Sequence, residues 1–218
     1  EVFRTLFNNS LKRHGKIDAV GIAKVGNEPM LVKDIEAGVA ESILPYPWDG
    51  IFTFTHWFYK KDNPSMHNAR TIIELLCDIV SKNGNMLLNV ELKGDGTIPA
   101  EHKTILDSIG GWMEINQDAI YASKPWKIYG DNLNSCQRVR ERNILNADRD
   151  HVLNNASKEN FNARTVSSTP YGSDEVRFTV KEDVLYIFVL NPQQGQIKLP
   201  ALGLDSPQQP GNIKKIQL

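Results

Sequence analysis

The sequence predicts an α/β fold: the second half of a (β/α)8-type, TIM-like barrel followed by an incomplete antiparallel β-sandwich. Three observations predict it. An amphipathic helix over residues 2–14 stops at Gly15 and gives way to an apolar run at 17–23, the helix-then-strand rhythm of a parallel sheet. A helix, a strand and a further long helix follow between residues 65 and 116, after an irregular stretch with its own strands. Beyond residue 130 the composition changes, and from Asp174 short strands with Gly and Pro punctuation take over, the pattern of a sandwich. Residues 1–130 are accordingly assigned to the barrel unit, and 131–218 to a linker and a truncated sandwich.

Each element has its own signal. Val2, Phe3, Leu6, Phe7 and Leu11 form one stripe at helical spacing. Residues 24–50 are punctuated by Gly26, Pro29, Gly38, Pro45 and Pro47, with a strand expected near 30–33 and a long loop after it. Ile51-Phe52-Thr53-Phe54-Thr55 alternates large and β-branched residues, as a strand does. Ser65 is a candidate cap for a helix whose apolar face is Ile72, Ile73, Leu75, Leu76, Ile79 and Val80, closed by Gly84. The strand at 86–90 leads through Gly94-Asp95-Gly96 to Pro99, which opens a helix expected to end near residue 116. Residues 131–173, rich in Asn, Ser, Arg and Asp, read as loose loops. A hairpin at 176–180 and 184–190 follows, with further strands expected at 197–199 and 213–218.

Composition narrows the function. The 25 basic and 26 acidic residues are interspersed, for a net charge of −1, which argues against a nucleic-acid stripe or a polybasic membrane patch. No apolar run approaches the roughly 20 residues of a membrane span. Cys77 lies on a helix's apolar face and is expected to be a buried free thiol; with Cys136 it makes no disulfide framework. The five histidines show no pair at metal-ligand spacing, so no zinc site is expected. The chain has no initiator Met and opens in mid-helix, so a preceding segment is expected.

The carboxylates are the chemistry-bearing candidates. Glycoside hydrolysis normally takes two: one protonates the departing oxygen, the other attacks the anomeric carbon or activates water. Asp34-Ile35-Glu36-Ala37-Gly38 carries the best placed acid, ahead of Tyr46-Pro47-Trp48-Asp49 and His56-Trp57-Phe58-Tyr59. Aromatic walls suit a sugar's C–H face, and an apolar wall keeps a proton on a carboxyl for donation. From spacing alone an acid on a solvated loop is the commoner reading of Glu36.

These segments, taken with Leu87-Leu88-Asn89-Val90, Gly94-Asp95-Gly96, Gly110-Gly111-Trp112 and Ala122-Ser123-Lys124-Pro125-Trp126, resemble the last part of the catalytic domain of α-L-fucosidases, the family 29 glycoside hydrolases. The resemblance implies an exo-acting retaining enzyme that removes terminal fucose from glycans through a covalent glycosyl-enzyme. It implies Glu36 as the general acid/base, with Glu41 or Asp34 as fallback, Trp57 as the sugar-stacking ring, and Trp48 or His56 on the leaving-group side. The family's attacking Asp lies on an earlier strand than any in this chain, so these residues alone are expected to be inactive. Fucosylated oligosaccharides or glycoconjugates are the implied partners, with no metal or other cofactor, and a secreted, periplasmic or lysosomal setting is the implied location. The alternative is a non-catalytic fucoside-binding protein on a degenerate barrel. This chain departs from the family at Ala37, where an Arg is frequent, and at Glu91-Leu92, where Gly-Pro is. Glu91 is expected to brace the Gly94-Asp95-Gly96 turn.

Overall fold

The computed structural model describes residues 1–23, 31–36, 38–40, 42–55, 57–61, 67–133 and 171–217, Glu36 by its backbone alone. Two sheets organise them. The first is parallel, four-stranded and in sequence order: β1 (Ile22–Ala23), β2 (Val32–Glu36), β3 (Trp48–Thr53) and β4 (Gly84–Asn89). The second is an antiparallel meander of β5 (Lys124–Asp131), β6 (Val176–Lys181) and β7 (Val184–Val189). Helix α1 (Val2–His14) precedes β1, α2 (Ala69–Ser81) links β3 to β4, and α3 (Ala100–Ile120) links β4 to β5.

Local chemistry explains the boundaries. Helix α1 stops at Gly15, which takes the left-handed conformation (φ 70°) and donates its N–H to the Leu11 carbonyl. Helix α2 starts at Asn68, whose side chain accepts from the Thr71 N–H. That cap replaces the Ser65 expected from the sequence: Asn68 sits one residue ahead of the first helical position, where the free N–H groups are. Helix α3 runs to Ile120 rather than ending near 116, straight through Gly110 and Gly111. Neither glycine has a neighbour within 4 Å of where a Cβ would stand, so nothing presses them out of helical geometry.

Several strands differ from expectation. Only residues 22–23 of the run at 17–23 pair. Strand β2 extends to Glu36, so Asp34-Ile35-Glu36 belongs to a strand and not to the loop after one. Strand β3 starts at Trp48, and its register with β4 pairs Trp48 with Gly84 and Thr53 with Asn89. No strand forms at 197–199 or 213–217: Pro200–Leu202 is a 3₁₀ turn, and Ile213 and Ile216 are exposed. The hairpin is as expected, its turn placing Glu182 at φ 54°. The change of sheet falls at residues 121–123, ahead of the expected boundary at 130, because β5 pairs with β6. The reading of residues 134–170 as loops, and that of Cys136, lie outside the described residues.

The two-residue period of a strand sorts the parallel sheet into two faces. Trp48 and Phe52 of β3 pack with Leu75 and Ile79 of α2 and with Ala40, while Ile35, Met86 and Leu88 flank them. Asp49, Ile51 and Thr53 alternate with these and turn to the other face. Closest approach falls at Gly84, where a Cβ would lie 2.4 Å from the Trp48 ring. The antiparallel sheet lies against α2 and α3. Cys77, Ala119, Phe188 and Leu190 form one apolar cluster across that boundary, and Cys77 is a buried free thiol as expected.

A cluster of charges is buried beside it. Arg177 of β6 pairs with Asp78 of α2 and, at 2.8 Å, with Glu175, while Lys82 reaches Asp78 at 3.1 Å. The side chains are 0–2% exposed. Tyr129 of β5 covers both cations, with its ring centre 4.6 Å from Lys82 Nζ and 5.5 Å from the guanidinium carbon of Arg177. Four charges sum to zero here, and each has an opposite partner, as burial requires.

Candidate active site

Strands of a parallel sheet all end on the same side, and ligand sites gather at the C-terminal ends. That side holds an open cleft of about 430 Å³ lined by Trp57, Phe58, Tyr59, Val90, Glu91, Leu92 and Gly94. Its two walls are the segments that follow β3 and β4. Trp57 is 46% exposed, Phe58 84% and Tyr59 37%, so three consecutive aromatic residues are open to solvent on one wall.

The aromatic wall is fastened to the other wall at successive points. Phe54 is fully buried and stacks on His102 in the first turn of α3, ring centres 4.7 Å apart. Thr55 donates twice to Glu91 Oε1, from its backbone N–H at 3.0 Å and from its hydroxyl at 2.5 Å. Asn89 Nδ2 donates to the Trp57 carbonyl at 3.2 Å. Glu91 is therefore bonded across the strand end, and the Gly94 turn has a brace of its own. Asp95 Oδ1 accepts from Thr97 N and Oγ1 at 2.9 and 2.7 Å, and Gly96 takes φ 82°. The Thr97 hydroxyl, then its N–H, holds the Asp95 carboxyl below the usual range.

The remaining candidates divide. Glu36 is the last residue of β2, in register with Ile51; Glu41 and His56 lie outside the described residues. Asp34 is buried (6% exposed) and is the register partner of Asp49. Burial pushes the Asp49 carboxyl up. Trp48 does not line the cleft. It opens β3 at the far end from the cleft, has no exposed surface, and donates its indole N–H to the Lys82 carbonyl at 2.9 Å. A ring enclosed on both faces by Gly84, Ile79 and Phe52 has no face left for a sugar.

Sequence reasoning missed Thr55 and Asn89. Their partners are 36 and 32 residues away, and only a polar residue at a strand end marks them. Among the described residues no group of three or more His, Cys, Asp and Glu side chains is placed to hold a metal. No helix among them is long and apolar enough to cross a membrane.

Comparison with known proteins adds the family. The α-L-fucosidase family model matches residues 6–118. The tissue α-L-fucosidase of Bos taurus is 42% identical over 77 residues, which cover 34% of this chain and 16% of that one. A solved α-L-fucosidase superposes with a TM-score of 0.61 at 23% identity, covering 85% of this chain and 34% of its own. The Thermotoga maritima α-fucosidase in complex with fucose gives 0.58 at 24% identity, with coverage of 85% and 34%. The chain thus spans about a third of the length of those solved structures. With more than half its residues matched by the family model, this chain belongs to the α-L-fucosidase family.

Proposed function

We propose that the protein carrying this chain is an exo-acting, retaining α-L-fucosidase, and that these residues supply the acid/base half of its site. One observation carries the reading. In a chain of this family, the cleft opens at the C-terminal ends of a parallel sheet and is walled by Trp57, Phe58 and Tyr59. Fucose presents an apolar C–H face and a methyl group, which rings bind while hydroxyls stay available to polar groups.

Glu36 is the general acid/base in this reading. It closes β2, so it stands at the same end of the sheet as the cleft. The attacking carboxylate is an Asp on an earlier strand, outside these 218 residues, and the two must stand about 5 Å apart for retention. The parallel sheet is the second half of a (β/α)8 barrel, and the antiparallel sheet is part of a β-sandwich. The outer edges of β1 and β4, unpaired among the described residues, are where further strands would add. The substrate is a terminal fucoside of a glycan. No metal or other cofactor is needed by chemistry that runs on two carboxylates.

The test is hydrolysis of nitrophenyl α-L-fucoside by the full-length protein and its Glu36→Ala variant. Nitrophenolate departs without a proton, so the variant still forms the glycosyl-enzyme but lacks the base that activates water. Turnover should fall about 10²–10⁴-fold, and azide, which needs no base, should restore part of it as fucosyl azide. Turnover indifferent to Glu36 moves the role to another acid. Fucose binding without turnover in the unmutated protein replaces the enzyme reading with a fucoside-binding one.

A further inference from the structure

We infer that Glu91 is a positioning residue, acting through Thr55 to hold Trp57 at the angle that receives the sugar. The inference rests on the fucosidase reading and adds a role within its site. Trp57 stands two residues beyond Thr55, past the end of strand β3, where the described residues make no ladder to fix it. What fixes it is the end of β4. Glu91 is 3% exposed, and its Oε1 accepts both the N–H and the hydroxyl of Thr55. Asn89, two residues earlier on the same strand, donates to the Trp57 carbonyl.

A carboxylate oxygen engaged by two donors is held in one place, and it holds the donors in turn. Side chains that support a binding ring in this way act on its geometry without touching the ligand. Phe54, just ahead, is buried against His102 and cannot slide. The corner is thus anchored before, at and after the point where the chain turns to present its rings. An aliphatic residue at position 91 would remove the carboxylate oxygen that both Thr55 donors share and free the corner to shift.

The test is a double-mutant cycle in the full-length protein, read as kcat and KM for nitrophenyl α-L-fucoside. A ring that binds ground state and transition state alike works through KM. Glu91→Ala is expected to raise KM about tenfold with kcat within about twofold of the parent. Glu91→Gln, which keeps an acceptor oxygen, is expected to restore KM to within about threefold. In a Trp57→Ala background, Glu91→Ala is expected to add nothing, because the ring it positions is gone. If Glu91→Ala fails to fold, Thr55→Val removes only the hydroxyl donor, and the same cycle with Trp57→Ala reads the coupling. Equal KM effects with and without Trp57, or no KM effect in a folded Glu91→Ala protein, overturn the inference and leave the fucosidase reading intact. No turnover by the parent overturns the fucosidase reading and the inference with it.

Discussion

Trp48 and Trp57 look alike as sequence, each an aromatic beside other aromatics on a proline-punctuated stretch, yet one is enclosed and the other faces the cleft. What separates them is position along β3. Trp48 opens the strand at the end away from the cleft and packs over Gly84, whereas Trp57 follows the strand at the end where the cleft opens. The family resemblance marked both as sugar-binding candidates, and only the strand's starting point could tell them apart. Asp49 illustrates the same alternation. It shares β3 with Trp48 but turns to the opposite face, where burial pushes its carboxyl up. A raised folded-state value means the ionised form costs stability at neutral pH, and the cost fades as pH falls through that value. Asp49→Asn is therefore expected to unfold at a higher temperature than the parent at pH 7. The gain should shrink with acidification and vanish below the unfolded value of about 3.9. Thermal unfolding at a series of pH values checks it, and a constant gain across pH would contradict it.

At the scale of elements, periodicity served helices better than strands. The stripe of α2 and the run of β4 were legible because burial on one face repeats over many residues. Strand β2 was expected near 30–33 and its second half was read as loop because Asp34 and Glu36 are acids, which read as exposed, although strand pairing carries them into the sheet. Strand β5 went unread because its partner β6 begins 45 residues after it ends, beyond any local pattern. The buried cluster of Asp78, Lys82, Glu175 and Arg177 was invisible for the same reason: α2 and β6 meet only in space. Burial raises the Asp78 carboxyl, but Arg177 and Lys82 outweigh it and hold it below the usual range. A depressed value contributes stability above the unfolded value of about 3.9, lost as pH falls through the folded one. Arg177→Met leaves Asp78 and Glu175 buried with a cation missing, which is expected to cost about 3–5 kcal/mol. Urea unfolding at pH 7 measures the loss. The variant should also show a weaker acid-induced drop than the parent, and equal acid limbs would contradict the assigned role of the pair.

The whole molecule joins a parallel α/β unit to an antiparallel sheet through one continuous face of α2 and α3. Apolar contacts at Cys77, Ala119 and Phe188 lie beside the charge cluster on that face. Thr179 adds a hydrogen bond to the Ala119 carbonyl at 2.8 Å, and Arg70 one to Asn191 at 2.6 Å. Among the described residues this joint leaves the C-terminal ends of the parallel strands uncovered, so the cleft and the joint do not compete for residues. The family and the α/β order were legible in the sequence because motif spacing survives where pairing cannot be seen. The inner architecture of the site was less so, since Thr55, Asn89 and Glu91 act as partners and not as motifs. In the proposed site fucose binds on Trp57 with its glycosidic oxygen towards position 36. A crystal structure of full-length Glu36→Gln protein soaked with nitrophenyl α-L-fucoside tests it most directly. The expected result is the sugar's apolar face on the Trp57 ring and the glycosidic oxygen within hydrogen-bond reach of the residue at 36. A fucoside bound away from Trp57, or with that oxygen facing another carboxyl, would contradict it.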